Sequence, residues 1–266
     1  MRVSWPRPNQ GWRILIGEIV IIVVGVLIAL GAQQAVEDYK WNRDVSAGRE
    51  ALRNDYVEIV VNARERIGLD ACLRRHLNEL ALLLARFPGR TPGIGRFGSP
   101  PERPWVPASW GSLVATGVST HMPRREMLAH ARIAESARQA EQRVAEEMLH
   151  WSHLYAVTGP ARPLASGEEA AIRQSLARAM YLLNLSRLQA PQIERTILQS
   201  GILNTADVRE IEIGEDVLRT GPNWRTSCAP IAPTSGQLMT APYDPAIQLD
   251  PLYRAEAQAA ADLRAR

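Results

Sequence analysis

Glu147, His150 and His153 stand three residues apart and are the chain's sharpest candidates for chemistry. Glu-x-x-His on a helix is the ligand pattern of carboxylate-bridged di-metal centres when it occurs twice, with further glutamates on facing helices. Here it occurs once. The three side chains also have the ligand types of a lone divalent-metal site. They fall off the apolar stripe through Val144, Met148 and Trp151, so the expectation is a solvated face that holds no metal. His76, His121 and His130 have no ligand-type partners close in sequence. No Gly-x-Ser-x-Gly elbow is present. Gly93-Ile94-Gly95 follows no strand pattern and opens no helix, which argues against a phosphate-binding loop. A nucleophilic role for Cys72 or Cys228 would need a neighbouring base that spacing does not supply. No catalytic, cofactor-binding or metal residue is therefore assigned.

Cys72 and Cys228 are the only cysteines. In an oxidising compartment an even count favours a disulfide, and two cysteines allow one intramolecular pairing. The alternatives are two unrelated thiols or a bridge between chains. The net charge is +3, and the 31 basic residues, all arginine except Lys40, are scattered among 28 acids. A nucleic-acid footprint needs clustering on one face, so no nucleic-acid partner is expected.

The elements that would position these residues read as helices. Val45, Leu52, Tyr56, Ile59, Ala63 and Ile67 mark one helical face, and Leu69, Leu73, Leu77, Leu80, Leu84 and Phe87 a second, with Gly68 a kink or break between them. Residues 88–107 carry six prolines and four glycines and predict an irregular linker, with Trp105 and Trp110 folding part of it back onto the helices. A short helix is expected from Ala108 to Ala115. Pro123 opens a helix to about Val157, striped by Ile133, Ala137, Ala140, Val144, Met148, Trp151 and Tyr155. Ser166 with Glu169 reads as a capping box for a helix through Leu188. Pro191 opens another helix, Thr205 to Arg219 forms one more, and Leu252 to Arg264 is a short terminal helix. No alternating run predicts a strand. The fold class is all-α.

The segment Ile14–Leu30 holds one charge, Glu18, and extended to Ala32 it is long enough to cross a bilayer as a helix. A cleaved signal peptide is the competing reading. The apolar core is longer than a usual signal core and runs into Gln33-Gln34-Ala35-Val36 without a turn residue, which favours an uncleaved anchor. Arginines at 2, 7 and 13 against Lys40 and Arg43 place the N-terminus inside. Trp12 suits one interfacial belt, and Tyr39 with Trp41 the other. Glu18 sits about one turn into the membrane, shallow enough to reach the headgroups or to pair with Arg13 or a second copy of the helix. Gly25 and Ala29 are spaced to let two such helices approach closely. The expected organisation is a tail at 1–13, a transmembrane helix at 14–32, an extracytoplasmic helical bundle at 33–228 containing the Pro/Gly-rich loop, and an irregular tail at 229–266.

Gly17-Glu18-Ile19 running into Val24-Gly25-Val26-Leu27-Ile28-Ala29-Leu30, followed by Trp41-Asn42 and Ala51-Leu52-Arg53-Asn54-Asp55-Tyr56, resembles a family of uncharacterised single-pass bacterial membrane proteins. These carry a GEI…GILIAL-like anchor and a helical extracytoplasmic region. Trp110 to Gly117 is similar to a later segment of the same family. The resemblance covers residues 14–66 and implies topology and an all-helical domain, with no activity attached.

The expected function is that of a membrane-anchored structural or interaction protein of the cell envelope. It would sit in the bacterial inner membrane with its domain in the periplasm, with the lipid bilayer and a second copy or another membrane protein as partners. The alternative is a ligand-binding module acting with a membrane partner. An envelope enzyme ranks below both.

Overall fold

The computed structural model describes residues 11–233. The N-terminal ten residues, the tail beyond Pro233 and the expected helix at 252–264 lie outside them. Among the described residues the protein is all-α apart from one small two-stranded ribbon.

A single helix, α1, runs from Gly11 to Arg86, 76 residues and about 114 Å at 1.5 Å per residue. Gly68 does not interrupt it. A β-carbon there would come within 2.6 Å of the Trp224 ring, so the glycine makes room for an aromatic side chain. From Arg86 the chain doubles back beside α1 as an extended strap. It forms β1 (Ile94–Arg96), then α2 (Ala108–Ala115) and a 3-10 turn at Val118–His121. Contacts trace the return: His76 with the Gly98 carbonyl, Asn62 with that of Pro104, Asp55 with the Ser109 N–H, and Trp41 stacked on His121 at 3.8 Å. Gly117 turns the chain at φ 77°, a conformation glycine reaches without steric cost.

The helix α3 (Arg124–Leu154) then runs parallel to α1, and α4 (Ser166–Gln199) runs back against both. The helices α5 (Thr205–Thr220) and α6 (Pro222–Ser227) climb α1 again, and β2 (Ala232–Pro233) pairs antiparallel with β1. The ribbon corrects the expectation of no strand: the strap and the C-terminal segment pair with each other at long range, which a local pattern does not register. Pro191 lies inside α4 rather than opening a new helix. One backbone hydrogen bond is forgone, and the buried flanks Ala190, Ile193 and Ile197 hold the helix to the core. Ser166 makes no cap. Glu169 instead accepts from the Gly89 N–H, and the capping box is Asn204 with Asp207, at the start of α5.

Two apolar cores lie along α1. The lower gathers Val45, Leu52, Tyr56, Ile59 and Ala63 with Trp105, Ile133, Ile197 and Ile211. The upper gathers Leu69, Leu73, Leu77, Leu80 and Leu84 with Ile94, Phe97, Trp151 and Ile172. Complete burial of such side chains contributes about 1.5–3 kcal/mol each. The linker at 88–107 is thus part of the body: Thr91, Ile94, Phe97 and Trp105 are all buried. Trp110 packs only partly against the lower core.

Candidate functional site

Between the two cores α1 presents Glu65 and Arg66, both buried. Arg66 Nη2 donates to both oxygens of Glu147, at 2.5 and 2.6 Å. Glu147 is 1% exposed and also accepts from the Trp151 indole N–H (3.3 Å) and the Ser186 hydroxyl (3.4 Å). Glu65 takes two hydrogen bonds from Arg103 of the strap, at 2.8 and 2.9 Å, and Glu141 of α3 accepts from the Trp105 N–H. This polar seam joins α1, α3, α4 and the strap at one level.

The solvated-face expectation for Glu147 is therefore corrected. The helix α3 is enclosed on two sides, by α4 and by α1 with the strap, so its inward surface is wider than one stripe. Val144 and Met148 are only half-buried, Tyr155 is 38% exposed, and the core face passes through Ala140, Glu147, Trp151 and Leu154. His150 and His153 point elsewhere. The His150 side chain is 18% exposed beside Glu146 at 4.0 Å, while His153 is exposed with Nδ1 3.3 Å from Ser175 Oγ. Glu147 faces Arg66 while the two imidazoles stand outside it. Among the described residues no three His, Cys, Asp or Glu side chains converge to hold a metal ion.

The buried histidines have partners in space, and for His130 one of them, Glu126, lies only four residues back in sequence. His130 is 1% exposed, and its Nδ1 lies 2.8 Å from Tyr56 Oη. Its Nε2 faces Glu126, 3.6 Å away, and Glu126 in turn is gripped by Arg49. A carboxylate only accepts, so it favours the tautomer with hydrogen on Nε2, leaving Nδ1 to accept from the tyrosine. Burial, reinforced by Asp55, pushes the Tyr56 phenol well above its ordinary value, so the tyrosine keeps that proton. The chain Tyr56–His130–Glu126–Arg49 contains an acid and a base, yet every contact in it is within the protein and it serves as a polar strut.

Burial also lowers the pKa of His76, fully buried under Gly98, and of His130. The unfolded chain binds those protons more readily, with a histidine pKa of about 6.5. Stability from the neutral rings is therefore complete above about pH 6.5 and is lost as pH falls through that value toward the folded pKa values. The thermal midpoint of the protein is expected to drop between pH 7 and pH 5. The His76→Gln/His130→Gln variant should show a shallower drop, and equal slopes in the two proteins would refute the assignment.

Cys72 and Cys228 form the disulfide, with Cα atoms 5.1 Å apart and a sequence separation of 156. Around it, Trp224 covers Gly68, and Ser227 Oγ donates to the Ser99 carbonyl at 2.7 Å. A β-carbon on Gly98 would collide with the carbonyl oxygens of Thr226 and Ser227. The bridge thus clasps α6 and the strap to α1.

A polar groove of about 690 Å³ lies between α1, α4 and α5. Arg64 spans it, pairing with Glu194 (2.8 Å) and Glu215 (3.2 Å), and Arg219 pairs with Glu215 at 2.7 Å. Its lining is charged, with Glu212 and Asp216 beside these pairs and Ile67 as its apolar member.

The remaining feature is the first half of α1. Trp12, Glu18, Gly25 and Ala29 lie on it and are exposed among the described residues, Trp12 at 68%. The Arg13 side chain lies outside the described atoms. Ile21, Leu27 and Ile28 are 73, 62 and 67% exposed, and among the described side chains the first buried one on α1 is Val45. The chain matches no family model, no characterised protein and no solved structure.

Proposed function

We propose that α1 anchors the protein in the bacterial inner membrane through residues 14–32 and carries the helical body outside the cytoplasm as a structural or interaction protein of the envelope. One observation carries this reading. An apolar helical stretch long enough to cross a bilayer has none of its surface buried against the protein, whereas the body that follows buries its own apolar residues well. Water would be a poor solvent for such a stretch, and lipid would satisfy it. The arginine-bearing N-terminus supports the orientation, and the disulfide suits an oxidising compartment. The resemblance of residues 14–66 to single-pass bacterial membrane proteins supports the same topology. Unbroken helix from Leu30 through Trp41 to the first buried residues favours an anchor over a cleaved leader, since cleavage would cut a continuous element.

A body dominated by mutually paired charges and closed cores suits holding and spacing better than catalysis. Alkaline phosphatase fused after residue 70 is expected to be active and a cytoplasmic reporter at the same point inactive. The reverse pattern would overturn the topology, and a mature N-terminus near residue 32 would replace the anchor with a leader. The alternative, a ligand-binding module working with a membrane partner, draws on the charged groove at Arg64, Glu194 and Glu215.

A further inference from the structure

We propose that the Cys72–Cys228 bridge is a redox-operated buckle, and that its reduction lifts residues 98–104 off the polar seam as a flap. The flap begins where the strap is pinned. Gly98 lies between α1 and α6. His76 Nδ1 stands 3.2 Å from its carbonyl oxygen on one side. On the other, a β-carbon at Gly98 would come within 2.4 Å of the Thr226 and Ser227 carbonyl oxygens. Ser227 Oγ also donates to the Ser99 carbonyl at 2.7 Å. The bridge closes this gap, joining Cys228, next to Ser227, to Cys72, about one helical turn before His76.

The build of 98–104 is that of a hinged flap. It has no regular structure, and it runs between two aromatic anchors. Phe97 stacks on Tyr155 at 4.7 Å, and Trp105 is buried in the lower core. What the flap covers is charge. Arg103 donates twice to Glu65, whose side chain is 1% exposed, and Asn62 donates to the Pro104 carbonyl. Desolvation cancels much of the attraction within a buried ion pair. Water entering at Glu65 and Arg103 therefore costs far less than water entering either apolar core. Flap and seam are the part of the body that opens locally without melting the rest.

Both cysteines are half-buried rather than sealed in a core. The other anchors of the C-terminal segment are small: the Trp224 ring over Gly68 and the short pairing of β2 with β1. A dithiol reductant supplies the electrons. Its thiolate attacks one sulfur of the bridge, and its second thiol resolves the mixed disulfide. Two electrons and two protons pass to the protein, leaving Cys72 and Cys228 as thiols and the reductant as a disulfide. With the bridge open, residues 222–233 loosen, Gly98 loses its pin, and Glu65 meets water. Reoxidation closes the buckle again.

Carboxyl footprinting tests this on the full chain in detergent. The protein is treated with dithiothreitol without denaturant, then with a water-soluble carbodiimide and an amine, and labelled carboxylates are counted by mass spectrometry. Reduction is expected to raise labelling of Glu65 several-fold. Asp207, 8% exposed near the start of α5 and remote from the flap, should stay unchanged. Reoxidation should return Glu65 to its starting level. The variant Cys72→Ser/Cys228→Ser should label Glu65 as the reduced protein does, with no reductant present. A bridge that resists dithiothreitol in the native protein would overturn the buckle. So would a reduced protein whose Glu65 stays unlabelled, or a rise shared equally by Glu65 and Asp207, which would report melting of the whole body.

Discussion

Glu147→Ala is expected to lower the unfolding free energy of the protein by about 3–5 kcal/mol, the usual loss when one partner of a buried ion pair is removed. The Arg66 side chain is 8% exposed and donates to both oxygens of this one carboxylate. Without it, a guanidinium that cannot shed its proton is left in the gap between two apolar cores. The Trp151 N–H and Ser186 hydroxyl lose an acceptor at the same moment. Arg66→Met should cost a similar amount by stranding Glu147, and Arg66→Met with Glu147→Leu should recover most of it, because paired apolar replacements avoid the desolvation cost. Chemical denaturation of the three variants checks this. Additive losses in the double variant would mean that the two residues do not act as a pair.

Cys72→Ser is expected to cost a further 2–5 kcal/mol, and Cys228→Ser the same, since either removes the bridge. With the two cysteines separated by 156 positions the chain-entropy contribution is on the order of 4–5 kcal/mol. The loss should be uneven. Hydrogen exchange is expected to rise first in 222–233 and in the strap near Gly98, which are held by the clasp, and least in α3. Uniform acceleration through the whole body would show that the bridge acts only on the unfolded chain.

The helices with regular apolar spacing could be read from sequence: both apolar stripes of α1, the bounds of α2 and the reach of α3. Local spacing carries that information because i, i+3 and i+4 neighbours share a face. The disulfide followed from the cysteine count and the compartment argument. The burial of Glu147 did not follow from one stripe per helix, yet a signal was present. Arg66 falls at core spacing between Ala63 and Leu69, and Glu147 falls at core spacing between Ala140 and Trp151. Opposite charges on the inward faces of two helices are the mark of a buried pair. The strap could be read only in part: Trp105 folds it back onto the helices as its apolar bulk suggests, but Pro and Gly forbid regular structure locally, and the rest of its order comes from Glu65, Asn62 and His76, up to about forty residues away. Pro191 misled for the mirror reason, a local breaker overridden by packing.

The central position of α1 also sets the order in which the chain is able to fold. It is synthesised first, yet the partners of its buried face arrive late: Glu194 for Arg64, Trp224 for Gly68 and Cys228 for Cys72. Leu69, Leu73, Leu77, Leu80 and Leu84 gain Ile94 and Phe97 from the strap soon after, but wait for Trp151 of α3 and Ile172 of α4 to complete their lid. Such long-range closure slows folding and leaves sticky surface open while the ribosome works. The native disulfide is within reach only when the last cysteine has emerged.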